Sequence, residues 1–383
     1  TGDFTHPEYF KELSDSLDPA EGGLFKLKKN HRAGDVPASC VSEVSFMLQA
    51  EISSIYKKNG RTRKVHSIVL APGFKEVEAL NKRLDAIGNI KSDGRPILGL
   101  DAKELLKIVL DVSPGCMVIP AHAWTPHFSV FGSMSGFDSL EECYDELTPH
   151  IHAIETGLSS DPPMNRKLSM LDGITLISNS DAHSPAKLGR EANVFETDIS
   201  YASITEAIKT GKGFGGTIEF YPEQGKYHVD GHRKCNVSME PKETKEHGYL
   251  CPACGRKLTV GVMHRVDDLA DRVEPAPSEF RYIVPLADLI AEVMGRGVNT
   301  KGVQGRYMEI LSALGNEFRV LLDTTLDDIK KAAGEDIAEA VGRMRTGDLY
   351  IEPGYDGEFG VVSLKEKPRK PKKINKTKAK RKG

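Results

Sequence analysis

Six carboxylate and imidazole side chains border short apolar runs along this chain: Asp3, Glu51, His66, His122, Asp181 and His183. Ser180-Asp181-Ala182-His183 follows the apolar run 174–178, and in extended backbone residues i and i+2 point to one side. A carboxylate and an imidazole facing the same way suit Zn, Mn or Fe; the alternative for that pair is a capping Asp beside a surface His. His122 ends the run 117–120, Glu51 ends a run that begins at Phe46, His66 lies inside the run 65–70, and Asp3 follows what reads as the end of a strand. Singly, each fits a structural role. Together they place convergent acids and imidazoles in one unit, where unpaired buried carboxylates are costly and a cation offsets that cost. The chemistry expected is hydrolysis of phosphoester bonds at a multinuclear metal site. His6, His127 and Glu155 are further candidates near its mouth, Glu155 as a group that orients a ligand or binds substrate.

A second constellation reads differently. His232 and Cys235 form one x-x-spaced pair, and Cys251 and Cys254 form another sixteen residues after Cys235, with Gly255 fitting the knuckle turn. Four N and S ligands satisfy a structural zinc ion, which leaves no open position and contributes folding free energy rather than catalysis. His228 and His264 are alternatives to His232 as the fourth ligand. The remaining cysteines, at 40, 116 and 143, read as ordinary reduced thiols.

The elements that must carry these groups alternate. Apolar runs at 65–70, 117–120 and 174–178 are separated by helical stretches at 74–87, 102–112 and 140–148, a pattern of α/β type with a parallel sheet or barrel. Such folds place their sites at the carboxyl ends of strands. The expected organisation is an α/β unit over 1–222, a zinc-binding module over 223–265, a helical domain over 266–362 and a disordered basic tail over 363–383. From residue 365 onward eleven Lys and Arg stand against one Glu, so the net charge of −3 divides into an acidic body and a tail of +10 suited to polyanions. No apolar run approaches the roughly eighteen residues of a membrane span, and no leader opens the chain. A piece upstream of Thr1 is expected.

The series Thr1-Gly2-Asp3, Glu51, His66, His122 and Asp181-x-His183 resembles the PHP (polymerase and histidinol phosphatase) metallo-phosphoesterases. More narrowly, the segments 120–126, 155–165, 178–184, 226–235 and 262–272 resemble the endonuclease Q family over roughly 1–360. The resemblance implies a distorted (β/α)7 PHP barrel with two or three divalent ions (Zn, Mg or Mn) held by Asp3, Glu51, His66, His122, Asp181 and His183, and one structural Zn. It implies an endonuclease that nicks DNA 5′ to deaminated bases (uracil, hypoxanthine, xanthine) or abasic sites, in double- or single-stranded DNA, with the helical segment 266–362 as its DNA-binding domain; a sliding clamp is a further candidate partner, and the reduced thiols point to a cytoplasmic, nucleoid-associated protein. Trp124 and Phe128 are then candidates to line the lesion pocket, and Arg296 and Lys301, in the glycine-containing segment 295–301, to contact phosphates. Two departures stand out. The family's opening His-x-His has no counterpart here, so this stretch is expected to bind catalytic metals poorly, and Arg166 stands where an aromatic residue is expected. Two other functions stay open: a PHP-type phosphatase of small substrates, and a DNA-binding protein with a decayed metal site.

Overall fold

The computed structural model describes residues 3–31, 36–92 and 94–365. Thr1, Gly2 and tail residues 366–383 lie outside the described residues. After helix α1 (Pro7–Ser16), strands β1 (Leu17–Pro19) and β2 (Phe25–Leu27) form a small hairpin. Strands β3 (Leu48–Lys58) and β4 (Arg61–Ala71) form a long antiparallel hairpin, turned at Asn59 and Gly60, both in left-handed conformation. Short strand β5 (Ile97–Leu98) lies parallel to β3, and β6 (Met117–Pro120) pairs antiparallel with β4, giving the order β5-β3-β4-β6.

The purely parallel expectation therefore fails for this sheet. Glu51 does not end a strand; it is the fourth residue of an eleven-residue one that continues into its hairpin partner. Parallel pairing appears next, between β7 (Ala153–Glu155) and β8 (Thr175–Ile177). Strand β9 (Ala192–Phe195) pairs antiparallel with β10 (Phe214–Glu219). Helices α2 (Phe74–Asp85), α3 (Ala102–Val112) and α6 (Tyr201–Thr210) pack on these sheets through apolar residues at helical spacing, such as Leu105, Leu106 and Val109 of α3. The Asp101 side chain caps α3 by accepting from the Lys103 N–H. The helix expected over 140–148 stops as α4 (Leu140–Tyr144), because Asp145 adopts a positive φ and the chain continues as a 3₁₀ turn. A four-residue helix, α5 (Pro162–Asn165), follows β7.

The module contains strands β11 (Asp230–His232) and β12 (Val237–Met239) and helix α7 (Pro241–Glu246). Helix α8 (Val262–Leu269) ties it down: Asp230 is buried and accepts from the Gly261 N–H (2.6 Å) and from His264 Nδ1 (2.5 Å). The expected boundary after 265 is crossed. Val262 and Val266 pack into the core of the first unit, and strand β13 (Phe280–Tyr282) joins β10 in parallel. Apolar surface on these segments is buried only by returning to the α/β unit.

Helices α9 (Leu286–Val293), α10 (Lys301–Leu314), α11 (Leu326–Ala333) and α12 (Glu335–Thr346) enclose a separate core built on Leu286, Ile290, Val303, Ile310, Ile337 and Val341. A last hairpin, β14 (Tyr350–Glu352) with β15 (Val361–Ser363), completes the described chain. Mixed α/β architecture, zinc-type cluster and helical C-terminal region all accord with the fold class read from sequence.

Candidate active site and nucleic-acid interface

Sheet register builds the first cluster. His66 of β4 faces Ser53 of β3, so Glu51, two residues earlier on β3, shares that face as a diagonal neighbour. Strand β6 ends at Pro120 opposite Ser67, and the Ala121 N–H donates to the His66 carbonyl, which delivers His122 beside them. Glu51 Oε1 lies 2.9 Å from His66 Nδ1 and 3.3 Å from His122 Nε2, and the two ring nitrogens are 3.1 Å apart. The three ligand atoms thus fall within 4.8 Å of one another.

Their arrangement fits a cation. Glu51 Oε1 is buried and no well-directed hydrogen bond reaches it, although three nitrogens stand within 3.3 Å. Two ring nitrogens and the carboxylate oxygen crowd one point. The donor set, one carboxylate and two imidazoles, suits Zn, Mn or Fe. Burial pushes the Glu51 carboxyl up, but the His122 and His66 rings and the Arg95 charge more than offset it and hold it below the ordinary carboxylate range. Burial lowers His66, while for His122 burial is outweighed by Glu51 and the nearby carboxylates Glu155 and Asp181, which raise it.

The backbone under His122 is strained, with φ of 29°. Glu155, at the end of β7, holds it there: one carboxylate oxygen accepts from the His122 N–H at 2.7 Å and the other from Asn179 Nδ2 at 2.8 Å. Burial raises the pKa of Glu155. Thr125 Oγ1 lies 3.0 Å from His122 Nδ1 and so orients the ring from its other side. Glu155 thus positions the His122 backbone.

The other expected ligands are not drawn into this cluster. Asp181 lies close enough to act electrostatically on His122, but its side chain is 39% exposed and that of His183 77% exposed. Strand β8 ends at Ile177, and Asp181 has a φ of 43°, so the same-side argument for extended backbone does not apply there. Asp3 also has positive φ and runs beside β3 through the Phe4 N–H to Gln49 O contact, outside the three-residue group. His6 caps the start of α1, and His127 is exposed on the wall of a cavity.

Trp124 requires correction. It is 1% exposed, its ring tilted against that of Phe131, and its indole N–H donates to Asn165 Oδ1 at 2.7 Å, so it packs in the core and does not line an open pocket. Phe128 stands at the site instead, its ring 4.8 Å from that of His66 and beneath Lys64 Nζ. Arg166 is also structural, donating to the carbonyls of Leu171 and Ile174 and to Ser278 Oγ. Arg296 and Lys301 are exposed around the α9–α10 turn. Sequence reasoning missed Arg95, whose Nη1 lies 2.6 Å from His66 Nδ1 and 3.1 Å from Glu51 Oε1. Its signal would have been the Gly94-Arg95-Pro96 segment before an apolar pair, which carries no motif.

In the module His232, Cys235, Cys251 and Cys254 gather with their ligand atoms within 4.8 Å, Cys254 Sγ being 3.4 Å from His232 Nδ1. His228 and His264 lie outside this group, His264 being committed to Asp230. Gly255, with φ of 70°, donates to Cys251 O and closes the knuckle. Hydrogen bonding to Cys254 pushes the Cys235 thiol up to about 11. A closed N and S set of this kind fits zinc.

Between the two clusters lies a cavity of about 920 Å³, walled by Thr125 and His127 on the site loop and by Tyr249, Leu258 and His264 on the module side. Thr125 links it directly to His122.

Residues 165–212 match the family model described as PHP-associated, and residues 285–348 match the MJ0043 C-terminal domain. The chain is 34% identical over 255 residues to the uncharacterized protein MJ0043 of Methanocaldococcus jannaschii, covering 64% of this chain and 32% of that one. It therefore spans about a third of the length of that relative. It is 31% identical over 309 residues to YqxK of Bacillus subtilis, covering 78% of this chain and 73% of YqxK. It superposes on the crystal structure of the lesion-specific endonuclease PfuEndoQ of Pyrococcus furiosus with a TM-score of 0.81 at 30% identity, covering 99% of this chain and 88% of that one. A structure of Endonuclease Q with a 27-mer duplex carrying an abasic lesion at its active site gives a TM-score of 0.78 at 30% identity, covering 99% and 89%. With the three-residue cluster, the zinc-type module and the helical region in this order, the chain belongs to the endonuclease Q family of the PHP superfamily.

Proposed function

We propose that this protein is a metal-dependent endodeoxyribonuclease that hydrolyses the phosphodiester 5′ to a deaminated base (uracil, hypoxanthine or xanthine) or an abasic site. One observation carries the reading: Glu51 Oε1, His66 Nδ1 and His122 Nε2 converge on one point beside a cavity large enough for a nucleotide. Glu51, His66 and His122 would hold divalent metal, with Asp3, Asp181 and His183 as the more open ligands of a two- or three-ion site (Zn, Mg or Mn). Bound there, the ions would supply an activated water and positive charge at the scissile phosphate. Glu155 and Thr125 fix the His122 ring, so the ligand set keeps its shape as substrate arrives.

A lesion within a duplex has to leave the stack before its 5′ phosphate can approach such a point, at a cost of a few kcal/mol that is least for mispaired or missing bases. The cavity beside Thr125 would receive the extruded nucleotide, and Phe128, its ring 4.8 Å from that of His66, flanks the Glu51–His66–His122 cluster. Arg296 and Lys301 contact flanking phosphates, which position the duplex without reading sequence. His232, Cys235, Cys251 and Cys254 hold one structural Zn that keeps the module wall in place. Such a substrate places the protein with the nucleoid. Among the described residues no helix is long and apolar enough to cross a membrane.

The test is incubation of the full-length protein with a 5′-labelled duplex containing uracil or an abasic site, plus Mn²⁺ or Mg²⁺. A nick 5′ to the lesion, reduced about 1,000-fold or more in Glu51→Gln, supports the proposal. Phosphate release from histidinol phosphate without any nicking would overturn it in favour of a small-substrate phosphatase.

A further inference from the structure

Arg95 makes contacts that the metal reading alone does not use. Parallel pairing of Ser53 with Ile97, and the Ser53 N–H to Pro96 carbonyl bond, fix the loop before β5 alongside Glu51. From there Arg95 Nη1 reaches His66 Nδ1 at 2.6 Å and Glu51 Oε1 at 3.1 Å, two of the three atoms that converge for a cation. A guanidinium can only donate and keeps its charge at any physiological pH. His66 Nδ1 has a single lone pair. Arg95 therefore cannot keep this contact while His66 Nδ1 and Glu51 Oε1 bind a divalent ion, and like charge drives it away. It has room to move: the side chain is 28% exposed, and Gly94 before it, at φ of 80°, has open space around its α-carbon.

We propose that Arg95 competes with divalent metal for Glu51 and His66 and, once displaced, donates to a non-bridging oxygen of the scissile phosphate. It is thus a catalytic residue of the proposed hydrolysis, and this part of the inference rests on that reading. The phosphate is the anion that the reaction brings to this point, and the planar fork of arginine matches two of its oxygens. Until metal arrives the same side chain offsets the charge of Glu51, a largely buried carboxylate.

The experiment compares the full-length wild type with Arg95→Ala and Arg95→Lys. Calorimetric Mn²⁺ titration reads competition, and single-turnover nicking of abasic and uracil duplexes at saturating Mn²⁺ reads the phosphate contact. Arg95→Ala is expected to bind Mn²⁺ about tenfold more tightly and to nick about 100-fold more slowly. Arg95→Lys, which keeps the charge but loses the fork, is expected to stay near wild type in Mn²⁺ affinity and to nick about tenfold more slowly. A merely structural arginine would not move affinity up and rate down together. Unchanged or weakened Mn²⁺ binding in both variants overturns the competition, and unchanged nicking overturns the phosphate contact. Wild type that binds Mn²⁺ but nicks neither duplex removes the proposed function itself, while the affinity comparison still decides the competition.

Discussion

The two clusters of this molecule are assembled by opposite routes. The module's four groups come from a hairpin and a knuckle within 23 residues, 232–254, and their spacing alone brings His232, Cys235, Cys251 and Cys254 together. Glu51, His66 and His122 come from three strands and meet only because the β3–β4 register and the end of β6 place them so. The first set offers four N and S ligands, enough to close a tetrahedral zinc site. The second is separated from a cavity by Thr125, rests on a residue with φ of 29° and is contested by an arginine. A closed site can be written locally, because every ligand is protein. An open one depends on a rigid surround to keep unmatched groups from relaxing, and strain gathers there.

The largest effect expected from breaking this contrast is at the module. Cys251→Ser, at a position 1% exposed, should remove the zinc, whose apparent binding free energy in small zinc domains is about 10 kcal/mol or more. Mass spectrometry should show the metal lost, and limited proteolysis should cut within 223–261, while the α/β core remains protected.

His228 separates the imidazoles of the module by role. It lies outside the ligand group, and burial pushes it down to about 4 against an ordinary 6.5, with a bond to the Pro222 carbonyl opposing only in part. As pH falls through 6.5 the unfolded chain takes up a proton and the folded chain does not. This group's contribution is therefore full above pH 6.5 and lost between about 6.5 and 4, up to about 3 kcal/mol. Urea melts across that range should show the slope in wild type and a flatter curve in His228→Gln.

Gly157→Ala tests the strained side of the comparison. The added Cβ would lie 2.8 Å from His122 Cβ, at a backbone φ of +60°. A cost of about 1–3 kcal/mol in stability is expected, with nicking reduced about 10- to 100-fold by the shifted ligand and zinc content unchanged. The smallest effect is expected from Trp124→Phe, which leaves Asn165 without its indole partner. Stability should fall by about 1 kcal/mol, with DNA affinity in a gel-shift assay unchanged; a tenfold loss of affinity would return Trp124 to the interface.

Much of the scaffold was legible. Helix α3 occupies the residues that its apolar spacing indicates, and β6 the run that ends before His122. Strand β4 contains the run 65–70, and the knuckle follows from its spacing. The hairpin was less legible: short apolar runs do not reveal whether neighbours pair parallel or antiparallel, and Glu51, which closes the run from Phe46, lies inside a strand that continues to Lys58. Trp124, a pocket candidate on sequence, packs in the core, and Arg166, standing where an aromatic residue was expected, serves a carbonyl network. Aromatic and cationic residues serve cores and carbonyl networks as well as ligands, and only burial distinguishes them.

Residue types and their local spacing determined the zinc-type module, the ordering of α/β, module and helical segments, and the list from which a metal cluster had to be drawn. Which three members of that list converge, that Arg95 stands against two of them, and that strand β13 returns to the first unit were decided by tertiary structure alone. Those facts depend on register and return pairing between segments dozens of residues apart, and a one-residue shift in β3 against β4 would turn Glu51 to the other face.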